Sequence, residues 1–174
     1  MEIRRGRYRA HFAAGAEDIA RALALRRAAF RGGGATDADA FDSRAAHLLV
    51  ETRDDGRLVA CCRVTALAGA AEVSSCYCAQ FYDLGGLAAF SAPLLELGRF
   101  CLAEGVRDPD ATRLAWGALA ALAARRGAGM IFGCSSFAGT EPGRHAAAFA
   151  LLAARHLAPA RWRPGDKAPE VARF

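Results

Sequence analysis

The sequence contains no Cys-x-x-Cys pair, and His145 and His156 have no cysteine partner at zinc-finger spacing. A structural zinc site is therefore not expected. No apolar run reaches the roughly 18 residues that a membrane helix needs. The longest charge-free stretch, Gly127–Thr140, has 14 residues. The basic start MEIRRGRYRAHF has no long apolar segment after it, which argues against a secretory signal. Internal repeats and an interdomain linker are also missing.

What is present suits one globular domain over 1–174. The chain has 174 residues, 53% hydrophobic and 24% charged, enough for a substantial core. The proline-containing stretch 160–174 reads as a flexible tail. Six cysteines occur, and Cys61, Cys62, Cys101 and Cys134 lie in apolar, strand-like runs. Buried free cysteine behaves as a small hydrophobe, which points to a reduced, cytoplasmic protein without metal. No histidine stands near Cys134 in sequence to make it a nucleophile. Net charge is +5, with Arg4, Arg5, Arg7 and Arg9 clustered at the start. Such a cluster suits nucleic acid, anionic lipid or an acidic protein, or is simply a solvated arm.

Periodicity gives the order of elements. Arg7–Ala13 alternates as a half-buried strand. Ala16–Phe30 is Ala-rich and helical, with Ile19, Leu23 and Phe30 on one side, and Gly32-Gly33-Gly34 ends it. An acidic loop with Asp37, Asp39 and Asp42 follows. His47–Thr52 and Leu58–Leu67 are strands joined by a turn at Asp55-Gly56. Cys76–Leu84 reads as a helix, and so does Pro142–Leu157.

The most informative stretch runs from Leu94 to Pro142: a strand over Leu94–Leu102, a helix capped by Asp110 and reaching Arg126, and a strand over Ala128–Cys134. A strand–helix–strand unit of this length gives a parallel pair with a right-handed crossover. Its ligands bind beyond the carboxyl ends of the strands. Glu96 and Arg99 interrupt the first strand. Residues three apart face opposite sides of a regular strand, but Gly98 between them suggests a bulge that resets the alternation. The pair would then share a face, as an ordinary ion pair or as working groups.

These residues resemble the GNAT acyltransferase fold: an α/β architecture with a mixed, mostly antiparallel sheet, one central parallel strand pair and helices on both faces. Within it the chain resembles the ornithine Nα-acyltransferases that make lyso-ornithine lipid in bacteria. The matching segments are Asp39–Asp42, His47–Val50, Glu96–Arg99, Phe132–Pro142 (FGCSSFAGTEP) and His156–Pro159. The acyl-homoserine lactone synthases are similar more loosely, through Asp39, Asp42, Arg63, Glu96 and Arg99. The resemblance implies transfer of a 3-hydroxyacyl chain from acyl carrier protein to the α-amino group of ornithine. It implies no bound cofactor and no nucleic acid partner. Peripheral contact with an anionic membrane and a homo-oligomer stay open. Family members continue past the His156–Pro159 motif, whereas this chain stops at Phe174. A noncatalytic module that binds acyl carrier protein or a partner subunit is therefore the alternative.

Acyl transfer to an amine needs proton removal, a polarised carbonyl and register between the reactants. Glu96 is the candidate base. Arg99, its catalytic partner, and Arg63 are placed to lock the acidic loop through Asp39 and Asp42. Phe100, Cys101, Leu102, Ser135, Ser136 and Phe137 are the candidate donor-binding residues. Phe132 and Phe149 are further candidate walls for the acyl chain, although each is more simply core. The loop Arg107–Arg113 has no glycine and carries Asp108 and Asp110 where a glycine-rich loop would hold a pyrophosphate. That favours a carrier-protein donor over coenzyme A, docked on Arg107, Arg113, Arg125 and Arg126.

Overall fold

The computed structural model describes residues 1–171. In chain order the elements are β1 (Glu2–Arg5), β2 (Tyr8–Phe12), α1 (Ala16–Arg31), β3 (Ala46–Thr52), β4 (Leu58–Leu67), α2 (Ala70–Ser74), β5 (Tyr82–Asp83), α3 (Gly85–Ala88), β6 (Leu94–Leu102), α4 (Pro109–Arg126), β7 (Met130–Phe132), α5 (Ala146–Arg155) and β8 (Gly165–Asp166). They pack as two units. One holds residues 1–66 and 92–132, and the other holds residues 67–91 and 133–171.

The first unit is a six-stranded sheet in the order β1-β2-β3-β4-β6-β7. The β1–β2, β2–β3 and β3–β4 pairs are antiparallel, and β6–β7 is parallel. Strand alternation sorts the side chains by face. Leu48, Val50, Ala60, Cys62, Val64 and Leu95 turn toward α4, where they meet Ala111, Leu114, Ala115, Ala118 and Leu119. Each large apolar side chain sealed there contributes about 1.5–3 kcal/mol. Cys61 and Cys101 turn the other way and meet Ala22 of α1. The expected mixed sheet with helices on both faces is what forms, with its parallel pair at the β7 end.

Several local expectations shift. The four N-terminal arginines do not form a free arm. Residues 2–5 pair with β2, and the arginines meet acids: Arg4 binds Glu2 at 2.5 Å, Arg5 lies 3.7 Å from Asp110, Arg7 3.5 Å from Asp108, and Arg9 2.7 Å from Glu51. Asp108, not Asp110, caps α4, its side chain accepting from the Asp110 N–H at 3.0 Å. Pro109 explains this. A residue before proline is held extended, and proline fits the first helical position because no N–H is needed there. Ala128 does not join β7, because its N–H binds Ala123 O beyond the left-handed Gly127 that ends α4. Inside α1 the buried residues are Ala22 and Arg26, while Phe30 is exposed.

In the second unit, Cys76–Leu84 is not a helix. A 3₁₀ turn at Cys78–Gln80 is followed by β5. The buried residues Cys76, Cys78, Ala79 and Leu84 do not fall on one helical stripe. Residues 160–166 also carry structure. Ala160–Trp162 is a 3₁₀ turn, β8 pairs with β5, and the Trp162 ring lies 4.9 Å from that of Phe90. Residues 142–145 form a 3₁₀ turn ahead of α5. No described helix is long and apolar enough to cross a membrane.

Candidate functional site

The site grows from a conflict in α1. Arg26 falls four residues after Ala22 on the stripe that packs against the sheet, and it is fully buried. A buried guanidinium must be paired and hydrogen-bonded. The acidic loop supplies the partners. Arg26 donates from Nε to Asp37 Oδ2 at 2.8 Å, from Nη2 to Asp37 O at 2.8 Å and from Nη1 to Asp42 Oδ1 at 2.6 Å. Two strands add their own arginines. Arg63 on β4 donates to Asp39 Oδ1 at 2.5 Å and to Asp42 Oδ1 at 3.0 Å. Arg99 on β6 donates to Asp37 Oδ2 at 3.0 Å and to Asp39 Oδ2 at 3.3 Å. Asp42 also accepts the Asp39 N–H at 2.9 Å, and the Phe41 ring lies 5.5 Å from the Arg63 guanidinium. Each aspartate thus bridges two arginines, and each arginine grips two aspartates.

The electrostatics follow. Burial pushes the Asp42 carboxyl up, but hydrogen bonds from Arg26, the Asp39 N–H and Arg63 outweigh it and hold the group at about 2. His47 sits opposite Arg63 on β3. Burial depresses its pKa below 6.5 despite its contact with Asp42 O, so it stays neutral at physiological pH. The three carboxyl groups of the loop are met by Arg26, Arg63 and Arg99, with Arg31 3.3 Å from Asp37 as well.

Arg99 has φ +54°, the described non-glycine residue in the left-handed region. That conformation breaks the alternation of β6. Leu95 belongs to the α4 cluster, which puts Glu96 on the opposite face. After the break, Phe100 packs with the α4 cluster and Cys101 with α1. Glu96 and Arg99 therefore share the α1 face, as a bulge at Gly98 would require. Gly98 also makes room, since a Cβ there would lie 3.5 Å from Arg63 Nε. Glu96 is buried and pairs in register with Phe132 of β7. The ladder to β7 ends at that pair, while β6 continues to Leu102. A carboxylate thus stands at the last rung of the parallel ladder, where β7 ends.

The donor candidates scatter. Phe100 is half-buried, its ring 6.0 Å from that of Trp116 and nearly parallel to it. Leu102 is exposed. The Cys101 side chain turns into the α1 cluster, 3.6 Å from Cys61 Sγ, so only its backbone is available to a donor. Ser135, Ser136 and Phe137 are exposed and belong to the second unit, where Phe137 packs on Phe149 and His145. Asp108 is engaged three ways, capping α4, accepting the Tyr8 hydroxyl at 3.0 Å and facing Arg7. These residues line a polar cleft of about 340 Å³ with Thr52, Arg57 and Arg107. Away from the loop, His11, Asp18 and Glu51 offer ligand atoms within 4.8 Å of one another. Arg9 and Arg21 already hold Glu51, at 2.7 and 2.6 Å, which leaves a poor seat for a cation.

An Acetyltransferase (GNAT) domain model matches residues 23–117, from α1 through the first half of α4. The chain belongs to the GNAT acetyltransferase family. Among its curated relatives are two L-ornithine N(alpha)-acyltransferases. That of Rhodobacter capsulatus is 36% identical over 133 residues, 74% of this chain and 51% of the relative. That of Agrobacterium fabrum is 32% identical, covering 72% of this chain and 45% of the relative. The chain spans about half the length of these relatives. Two solved structures share the GNAT fold at low identity. FeeM, an N-acyl amino acid synthase from uncultured soil microbes, aligns with a TM-score of 0.55 at 17% identity or less, namely 16%, over 84% of this chain and 77% of its own. The AHL synthase LasI aligns with a TM-score of 0.50 at 17% identity over 70% of this chain and 68% of its own.

Sequence reasoning overlooked Arg26 and gave Asp37 no role. The signal was available in α1: a charge on the apolar stripe, followed within one loop by three aspartates.

Proposed function

We propose that this GNAT domain is an N-acyltransferase that moves a 3-hydroxyacyl chain from an acyl carrier protein thioester to the α-amino group of ornithine. The observation that carries the reading is Glu96, buried on β6 at the point where the β6–β7 ladder ends. There a carboxylate can take the ammonium proton directly or through a water, while strand N–H groups freed by the parting strands receive the thioester oxygen. The amine attacks the carbonyl carbon, the C–S bond breaks, and the thiolate leaves to take up a proton. Arg63 and Arg99 act by locking the acidic loop, because their charges are already matched by Asp39, Asp42 and Asp37. The names of the curated relatives support ornithine as the acceptor.

A carrier-protein donor is supported by α4. At its N-terminus, the usual seat of a pyrophosphate, the Asp110 N–H is taken by the chain's own Asp108 carboxylate, which also puts a negative charge there. The test is incubation with 3-hydroxyacyl carrier protein or the matching acyl-CoA, a panel of amino acids and mass spectrometry of the products. Acylated ornithine formed from the carrier-protein donor is the expected result. Acylation of another amine alone would replace the acceptor, and equal use of both donors would remove the carrier-protein assignment.

A further inference from the structure

Two cysteine pairs stand close together in this protein, in different settings. Cys61 and Cys101 have sulfurs 3.6 Å apart but lie on neighbouring strands, sealed beneath α1 with Ala22. Cys78 and Cys134 have sulfurs 3.2 Å apart. Both belong to the second unit, 56 residues apart in sequence. Cys134 is partly exposed, and Cys78 is buried. A disulfide requires a sulfur separation near 2.05 Å, so either pair must close by about 1–1.5 Å. A hydrogen-bonded sheet with a helix packed over it resists such a shift, and no reagent reaches Cys61 or Cys101 without opening the core. Cys78 opens a single 3₁₀ turn, and Cys134 lies in the irregular segment between β7 and residue 142. Neither cysteine is held in a strand ladder.

We propose that Cys78 and Cys134 form a redox-active dithiol whose oxidising co-reactant is a low-molecular-weight disulfide. Cys134, the reachable sulfur, attacks the reagent as thiolate and forms a mixed disulfide, releasing one thiolate. Cys78 then attacks Cys134 sulfur and expels the second. Two protein thiols become one protein disulfide, one small disulfide becomes two thiols, and the two protons pass to the released thiolates. Residues 135–137 follow Cys134 directly, so the new bond anchors that exposed segment to the turn at residues 78–80.

The test uses the full chain, reduced and then exposed to oxidised glutathione. Intact mass should fall by about 2 Da, as loss of two hydrogens requires, and a non-reducing peptide map should join Cys78 to Cys134. Cys78→Ser should arrest the reaction at a glutathione adduct on Cys134, since no second thiol resolves it. Cys134→Ser should show neither adduct nor disulfide, and Cys101→Ser should behave as the unaltered protein. Phenylarsine oxide, which bridges neighbouring thiols, should bind the reduced protein and fail to bind either Cys78→Ser or Cys134→Ser. The unaltered protein decides the matter even if a variant fails to fold. A map joining Cys61 to Cys101, a stable glutathione adduct without a disulfide, or no reaction would each overturn the proposal.

Discussion

Arg26 is the residue on which the acidic loop depends. Its neutral replacement leaves Asp37 and Asp42 close together with one fewer cation, in a buried setting. Removing one partner of a buried ion network costs about 3–5 kcal/mol. Arg26→Met should lower stability by that order, read from denaturant midpoints. A loss under about 1 kcal/mol, the worth of an exposed pair, would mean that the network contributes little. Glu96 sits apart from those pairs in function. Glu96→Gln keeps shape and burial but, on the proposed function, removes the base, so turnover should fall by about 10²–10⁴-fold while the thermal midpoint holds. Near-normal turnover in a folded variant would assign proton transfer to another group.

The pH behaviour belongs to the same scale. Asp42 has a folded pKa of about 2 against an ordinary 3.8. The unfolded chain therefore binds the proton first, and stability present above pH 4 is lost as the pH falls toward 2. His47 is also depressed, from 6.5, so its contribution is complete above that value and declines below it. Stability measured against pH should be flat above neutrality, decline below about 6.5 and steepen below about 4. Asp42→Asn should remove its share of the lower limb and, since the Asp42 charge favours protonated His47, deepen the upper one.

At the scale of elements, α4 and β6 show what could be read from sequence and what could not. Strand β6 was legible to the residue, because a long apolar run with Glu96, Gly98 and Arg99 inside it permits one bulged register. The cap of α4 was misplaced by two residues because two aspartates flank Pro109, and only the restriction that proline imposes on its predecessor chooses between them. Asp108→Ala should lower stability as a lost N-cap and also release Tyr8 and Arg7. On the proposed function it should raise activity with acyl-CoA relative to the carrier-protein donor. An unchanged donor ratio would show that the cap has no part in donor choice. The short segments of residues 67–91 were not legible. Their burial depends on residues far along the chain, such as β8 and Trp162, and no local period encodes that. The loop network was legible in part: Arg63 and Arg99 against Asp39 and Asp42 could be read, whereas Arg26 and Asp37 could not, because Arg26 lies on a third element, α1.

At the scale of the whole molecule, the excess of positive charge sets the terms of association. A net charge of +5 favours an acidic protein partner, and exposed contacts of this kind weaken as salt shortens the screening length to about 8 Å at physiological ionic strength. On the proposed function, KM for an acyl carrier protein donor should rise steeply between low and high salt, with kcat little changed. A KM insensitive to salt would place docking on apolar contacts instead.

The lock on the acidic loop also fixes an order of birth. A ribosome releases Arg26 first, then the three aspartates, then Arg63, and Arg99 only when β6 emerges. Until then the loop lacks the one cation that bridges Asp37 to Asp39, although Arg26 and Arg63 can already hold each of them singly. A nascent chain arrested before residue 99 should be cut readily by protease between residues 36 and 45, and one arrested well after it should not. A pairing seen in the finished molecule thus sets which part of the nascent chain completes the loop last.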